Sequence, residues 1–241
     1  MPHRHREVSR IEGFSDAVFG FAITLLVVSL EVPRTFDELL HVMRGFPAFA
    51  VSFALIFQIW RRHYLFFRSY DIEDSMVVVL TGALLFVVLF YVYPLKFVWS
   101  LALAQVQGAG EGERIRTEQW PLLMEIYGAG VIAIFGLLAL LYAHAYRLRA
   151  QLGLSAGESV WARVQVMRNA AIALWGVLSI LICVAGGRAW LSAAGFVYFG
   201  IGISEWALGE YNGRMQRKLG SVRLPPPPEA SVDHRSLGEG G

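Results

Sequence analysis

The stretch RIEGFSDAVFGFAITLLVVSLEVP, from Arg10 to Pro33, carries no charge between Ala17 and Leu30. A helix rises about 1.5 Å per residue, so residues 11–32 would cover roughly 33 Å, enough to cross a bilayer core. Pro33 cannot continue the hydrogen-bond ladder and marks the stop. The entry is polar: Ser15-Asp16 stands directly before the apolar run. An ionisable group there either meets a protein partner or a water-filled neighbour, or it sits at headgroup depth and favours the helix N-terminus.

Composition places the remainder in the same class. Hydrophobic residues make up 56% of the 241-residue chain and charged residues 17%, with a mean hydropathy of +0.50. Soluble domains carry about 25% charge. The formal net charge is only +2, which gives no basic field for nucleic acid. The single cysteine, Cys183, excludes an intramolecular disulfide framework and a cysteine-cluster metal site, and it reads as a packing residue. The N-terminal MPHRHREVSR lacks a cleavage-site pattern after the first apolar run, so the first helix is expected to be retained.

The expected fold is all-α: six transmembrane helices over 11–32, 39–60, 75–99, 121–146, 170–185 and 190–208. Pro47 is expected as a tolerated kink in the second span, Pro94 and Lys96 as a late interruption of the third, and Pro121 as the first turn of the fourth. The last two spans read as a hairpin closed at Gly186-Gly187-Arg188. Placing both termini in the cytoplasm puts fifteen of the 21 Lys and Arg residues inside and five outside, with Lys96 within the third span. Residues 1–10 are then a cytoplasmic N-terminus and 11–211 the transmembrane domain. Residues 212–241, rich in Pro and Gly, form a disordered cytoplasmic tail.

No Walker loop, dinucleotide fingerprint, HExxH or Gly-x-Ser-x-Gly is present, so no enzyme class, cofactor or metal site is indicated. A Thr-Val-Gly-Tyr-Gly filter and an arginine-repeat voltage sensor are likewise missing. Any pore has to be lined by whole helices. On the first helix, Ala17, Phe21, Thr24, Leu25 and Val28 fall within a stripe about 100° wide, with Asp16 roughly opposite. That stripe is either a packing face or a pore lining.

Arg10-x-x-x-Phe14-Ser15-Asp16, followed by an apolar helix containing Thr24, resembles the signature of the TMEM175 potassium-channel family, specifically its prokaryotic single-repeat members. Trp60 and His63 resemble the family's Trp-x-x-His element and would partner the motif, with Arg10, Phe14, Ser15 and Asp16 as scaffold. The resemblance implies a homotetrameric potassium-selective channel in the prokaryotic plasma membrane. Its first helices surround the axis, with apolar rings at Phe21, Leu25 and Val28 and a contribution to potassium preference from Thr24. It departs from the family at Phe21, where Ile or Leu is usual, so four phenyl rings could close the path or offer their faces to a cation. The implied partners are the lipid bilayer, potassium ions as permeant and three further copies of the chain. The alternative is a proton- or cation-coupled secondary transporter using Lys96, beside Pro94, or Glu205. A non-conducting scaffold presenting the Pro-rich tail is a third possibility.

Overall fold

The structure is a computed structural model that describes residues 8–28, 32–106, 116, 118–186 and 190–220. The 221–241 part of the expected tail, most of 105–120 and residues 187–189 of the expected hairpin therefore lie outside the described residues. Every regular element among the described residues is helical: α1 Arg10–Val28, α2 Phe36–Arg44, α3 Phe46–Ser69, α4 Ser75–Val106, α5 Trp120–Arg147, α6 Ala156–Gly186, α7 Leu191–Phe196 and α8 Gly200–Gly220, with a 3-10 turn at Val197–Phe199. Four of them (α1, α4, α5 and α6) are long and apolar enough to cross a membrane, and a fifth span arises if the bent pair α2–α3 counts as one.

The expected second span is two helices meeting at 45°. Thr35 caps α2, with its hydroxyl oxygen accepting from the Glu38 amide, and Glu38 returns a carboxylate to the Thr35 N–H. Gly45 ends α2, and Pro47 stands at the start of α3, where a missing N–H costs nothing. Pro47 thus opens a helix and does not kink one, and α3 runs nine residues past the expected end at 60. Pro94 lies inside a continuous α4 of 32 residues and does not end it, as neighbouring helices permit in membrane-type bundles. Pro121 stands in the first turn of α5. The expected fifth span starts earlier, at Ala156. The expected sixth, 190–208, is not one apolar helix. It is α7, the 3-10 turn and the first part of α8, which continues to Gly220, past the boundary expected at 211.

The core lies between α1, α3, α4 and α5, around Phe19, Leu26, Phe66, Leu84, Leu138 and Tyr142. Helices α5 and α6 pack closely because each offers a glycine: a Cβ on Gly128 would stand 2.8 Å from Ile180 Cγ1 and 3.3 Å from the Gly176 carbonyl oxygen. At the α3–α4 connection Asp74 accepts from the Val77 amide at 2.9 Å and meets His144 Nε2 of α5 at 2.6 Å. Partial desolvation pushes the Asp74 carboxyl up, but the bonds from Val77 and His144 outweigh it and hold the group below its ordinary value.

Candidate permeation site

Helix α1 has two sides of different chemistry. Glu12, Ser15, Phe19, Ala22 and Leu26 recur at three- and four-residue steps and are buried. Phe19 is 1% exposed and Leu26 is fully enclosed. This side packs on α3 and α4. The other side is open in the protomer: Phe14, Ala17, Gly20, Phe21, Thr24, Val27 and Val28 are all exposed, Phe21 at 56% and Val28 at 71%. Phe21 therefore points away from its own subunit's core.

Of the stripe expected from the sequence, Ala17, Phe21, Thr24 and Val28 share this open side. Leu25 is half-buried and packs against the core at the edge of the stripe. Gly20 and Val27 take part instead, and they were readable from the 13, 17, 20, 24, 27 spacing. The Thr24 hydroxyl donates to the Gly20 carbonyl at 2.9 Å. Its proton is thereby committed to its own helix, and its lone pairs remain as acceptors on the open side.

The motif residues divide between the two sides. Ser15 is buried and donates to the Ile11 carbonyl at 2.6 Å. Asp16 is exposed and accepts from the Trp60 indole Nε1 at 2.8 Å. His63, one turn further along α3, is 1% exposed, with its ring 5.7 Å from that of Phe19 and 4.8 Å from that of Phe67. Residues 60 and 63 of α3 thus grip residues 16 and 19 of α1, each pair one helical turn apart. Arg10 opens the helix and is exposed, as is Phe14.

Two features escaped the sequence reading. Phe46, Phe49, Phe53, Phe57, Trp60 and Tyr64 form a continuous ladder of rings along one face of α3, with successive centroids 5.2–6.2 Å apart. Their three- and four-residue spacing was visible in the sequence. The second feature is a polar knot. Arg62 Nη2 donates to Glu205 Oε1 at 2.9 Å and Nη1 to Asn169 Oδ1 at 3.2 Å, while Arg168 Nε lies 3.6 Å from Glu205 Oε2. Glu205 is therefore committed to cations of α3 and α6. Lys96 is half-buried on α4. Among the described residues no three His, Cys, Asp or Glu side chains converge as metal ligands.

Comparison with known proteins agrees with this architecture. The family model for the endosomal/lysosomal potassium channel TMEM175 matches residues 10–91. A potassium channel of Marivirga tractuosa is 37% identical over 208 residues, covering 81% of this chain and 84% of that protein. A potassium channel of Chamaesiphon minutus is 36% identical over 96 residues, which is 36% of this chain and 47% of that protein. The crystal structure of the potassium channel MtTMEM175 in complex with a nanobody fusion superposes with a TM-score of 0.77 at 34% identity, covering 88% of this chain and 96% of that one. The structure of a TMEM175 homologue from Chamaesiphon minutus shares the fold, with a TM-score of 0.56 at 20% identity over 83% of this chain and 96% of that one.

Proposed function

The chain belongs to the TMEM175 family of potassium channels, and we propose that four copies of it enclose a potassium path lined by the open side of α1. It is a multi-pass membrane protein and a channel, not an enzyme. Within the proposal, Phe21 forms the narrowest ring, Thr24 and Val28 line the path beyond it, and Leu25 supports the ring from the flank. Both termini face the cytoplasm of a prokaryotic cell, and the membrane is the plasma membrane.

The observation that carries this reading is the composition of the open side of α1. A surface suited to lipid is built of large apolar side chains, and the exposed stripe Met167, Leu174, Val177, Leu181 and Val184 of α6 has that composition. The open side of α1 instead carries Gly13, Ala17, Gly20 and Thr24 between Phe14, Phe21 and Val28. Small residues let helices approach closely in a membrane, and a hydroxyl with free lone pairs has no use against hydrocarbon.

The physics of selection follows from the same side chains. An ion passing an apolar ring sheds water, at a cost of several kcal/mol unless other groups replace it. Potassium holds its water less tightly than sodium, so a narrow ring at Phe21 favours it. Thr24, three residues on, stands about 4.5 Å along the axis and offers its lone pairs to the partly stripped ion. Trp60 and His63 hold α1 so that these groups converge.

The test is potassium and sodium flux from vesicles containing the purified protein. Phe21→Ala is expected to raise flux at least about tenfold, the equivalent of ~1.4 kcal/mol of barrier. Thr24→Ala is expected to lower the potassium-to-sodium ratio. Flux and ratio unchanged in both variants would remove α1 from the path.

A further inference from the structure

We propose that Glu205 of α8, acting through Arg62, is a positioning residue for the permeation face of α1; the inference rests on the α1-lined path proposed above. Helix α1 packs on α3 and α4, whereas α8 packs on α6 and the 3-10 turn that precedes it. The link between the two ends of the subunit runs through a short piece of α3. Trp60 and His63 on that piece hold Asp16 and Phe19 of α1. Arg62, two residues from Trp60, is rotated about 200° around the same helix and faces the rest of the subunit.

There it is met from three helices at once. Its guanidinium lies 5.6 Å from the Phe135 ring of α5 and its carbonyl accepts from Tyr142 Oη at 2.8 Å. Its two terminal nitrogens divide between Asn169 of α6 at 3.2 Å and Glu205 of α8 at 2.9 Å. Asn169 is fully buried, and its amide nitrogen donates to the Gln165 carbonyl at 2.8 Å, which fixes the side chain with Oδ1 towards Arg62. Arg62 and Glu205 are 17% and 28% exposed, so little water is at hand to replace either partner.

A forked cation held this way fixes the rotation of α3 about its own axis. Among the described residues Glu205 is the one anion in the knot, shared by Arg62 and Arg168. Neutralising it leaves two facing arginines, and α3 can relieve that repulsion by turning. A turn of α3 carries Trp60 and His63 with it, and those residues set the orientation of α1. The C-terminal helix would in this way control the width of a path it does not touch.

The experiment uses the full-length oligomer in vesicles with Glu205→Gln and Arg62→Lys. Arg62→Lys keeps the charge, but a single ammonium cannot reproduce the fork between Asn169 and Glu205. The readouts are the potassium-to-sodium flux ratio and the rate constant for modifying Ala17→Cys, in a Cys183→Ser background, with a water-soluble thiol reagent. Neither depends on how many molecules fold, so a purely structural role would not move them. Both are expected to differ from the parent by about fivefold or more, the scale of coupling through packed networks. A conducting parent whose two variants keep its ratio and its rate constant would overturn the coupling. A parent that does not conduct, with a modification rate that still shifts, would overturn the channel reading and leave the coupling standing. If Glu205→Gln fails to assemble, Glu205→Asp, with its shorter arm, takes its place and is judged by the same two outcomes.

Discussion

The bond between Trp60 and Asp16 gives a prediction whose size can be worked out in advance. The indole N–H donates to a carboxylate at 2.8 Å, and Asp16 is exposed in the protomer. Hydrogen bonds to charged groups contribute ~1.5–3 kcal/mol, and exposure puts this one at the lower end. Trp60→Phe keeps an aromatic ring between Phe57 and Tyr64, whose centroids lie 5.2 and 5.3 Å away, and removes chiefly the donor. For a chain of this length ~1.5 kcal/mol corresponds to a fall of about 3–6 °C in unfolding midpoint in detergent. Asp16→Asn keeps an acceptor but loses the charge, so about half of that is expected. In the double variant Asp16→Asn should add almost nothing, because the donor is already gone, which leaves a coupling of ~0.7 kcal/mol. The assay is a thermal-unfolding cycle on the four proteins, with potassium flux measured in parallel. Additivity to within about 0.3 kcal/mol, with both single variants unfolding like the parent, would refute the reasoning that this bond holds α1.

Four further outcomes follow from burial, ionisation and close packing. Phe19→Ala, at a site 1% exposed, should cost ~3–5 kcal/mol and show as loss of folded oligomer on size exclusion. Phe21→Ala, two residues on and facing outward, should cost less than ~1 kcal/mol and act on flux alone. Asp74 is held below its ordinary value of 3.8, so its contribution to stability is complete above that value and is lost as pH falls through the lower folded value. The gap in unfolding midpoint between the parent and Asp74→Asn should therefore persist from neutral pH down to about pH 4 and close only in stronger acid. A Cβ on Gly130 would overlap the Tyr91 ring, so Gly130→Ala should cost ~1–3 kcal/mol, read as a lower midpoint.

Much of the helical architecture could be read from hydropathy alone, since each of α1, α4, α5 and α6 contains a long apolar window. The break at Gly45 was also within reach, because Thr35-x-x-Glu38 is a capping box and Pro47 sits where a helix starts. The early start of α6 was marked as well, by a second capping box at Ser155-x-x-Glu158. Hydropathy missed it because residues 156–169 are polar enough to pass for a loop; Asn169 is buried there with its Oδ1 accepting from Arg62 of α3. On α1 the helical period found the open side, but it could not tell that Leu25, at the edge of the stripe, packs against the core, because neighbouring helices decide that. Arg62 and Glu205 stand 143 residues apart, and no local spacing announces such a pair. Arg62 counted in the sequence as one more cytoplasmic cation, yet in the fold it joins four helices.

The most direct test of an α1-lined path is modification at Phe21→Cys in a Cys183→Ser background, with potassium flux recorded before and after a water-soluble thiol reagent is added. A side chain on the axis predicts that flux is blocked and that high potassium slows the block. Unaltered flux, with the thiol reached only by a reagent dissolved in the bilayer, would place residue 21 against lipid and contradict the proposal.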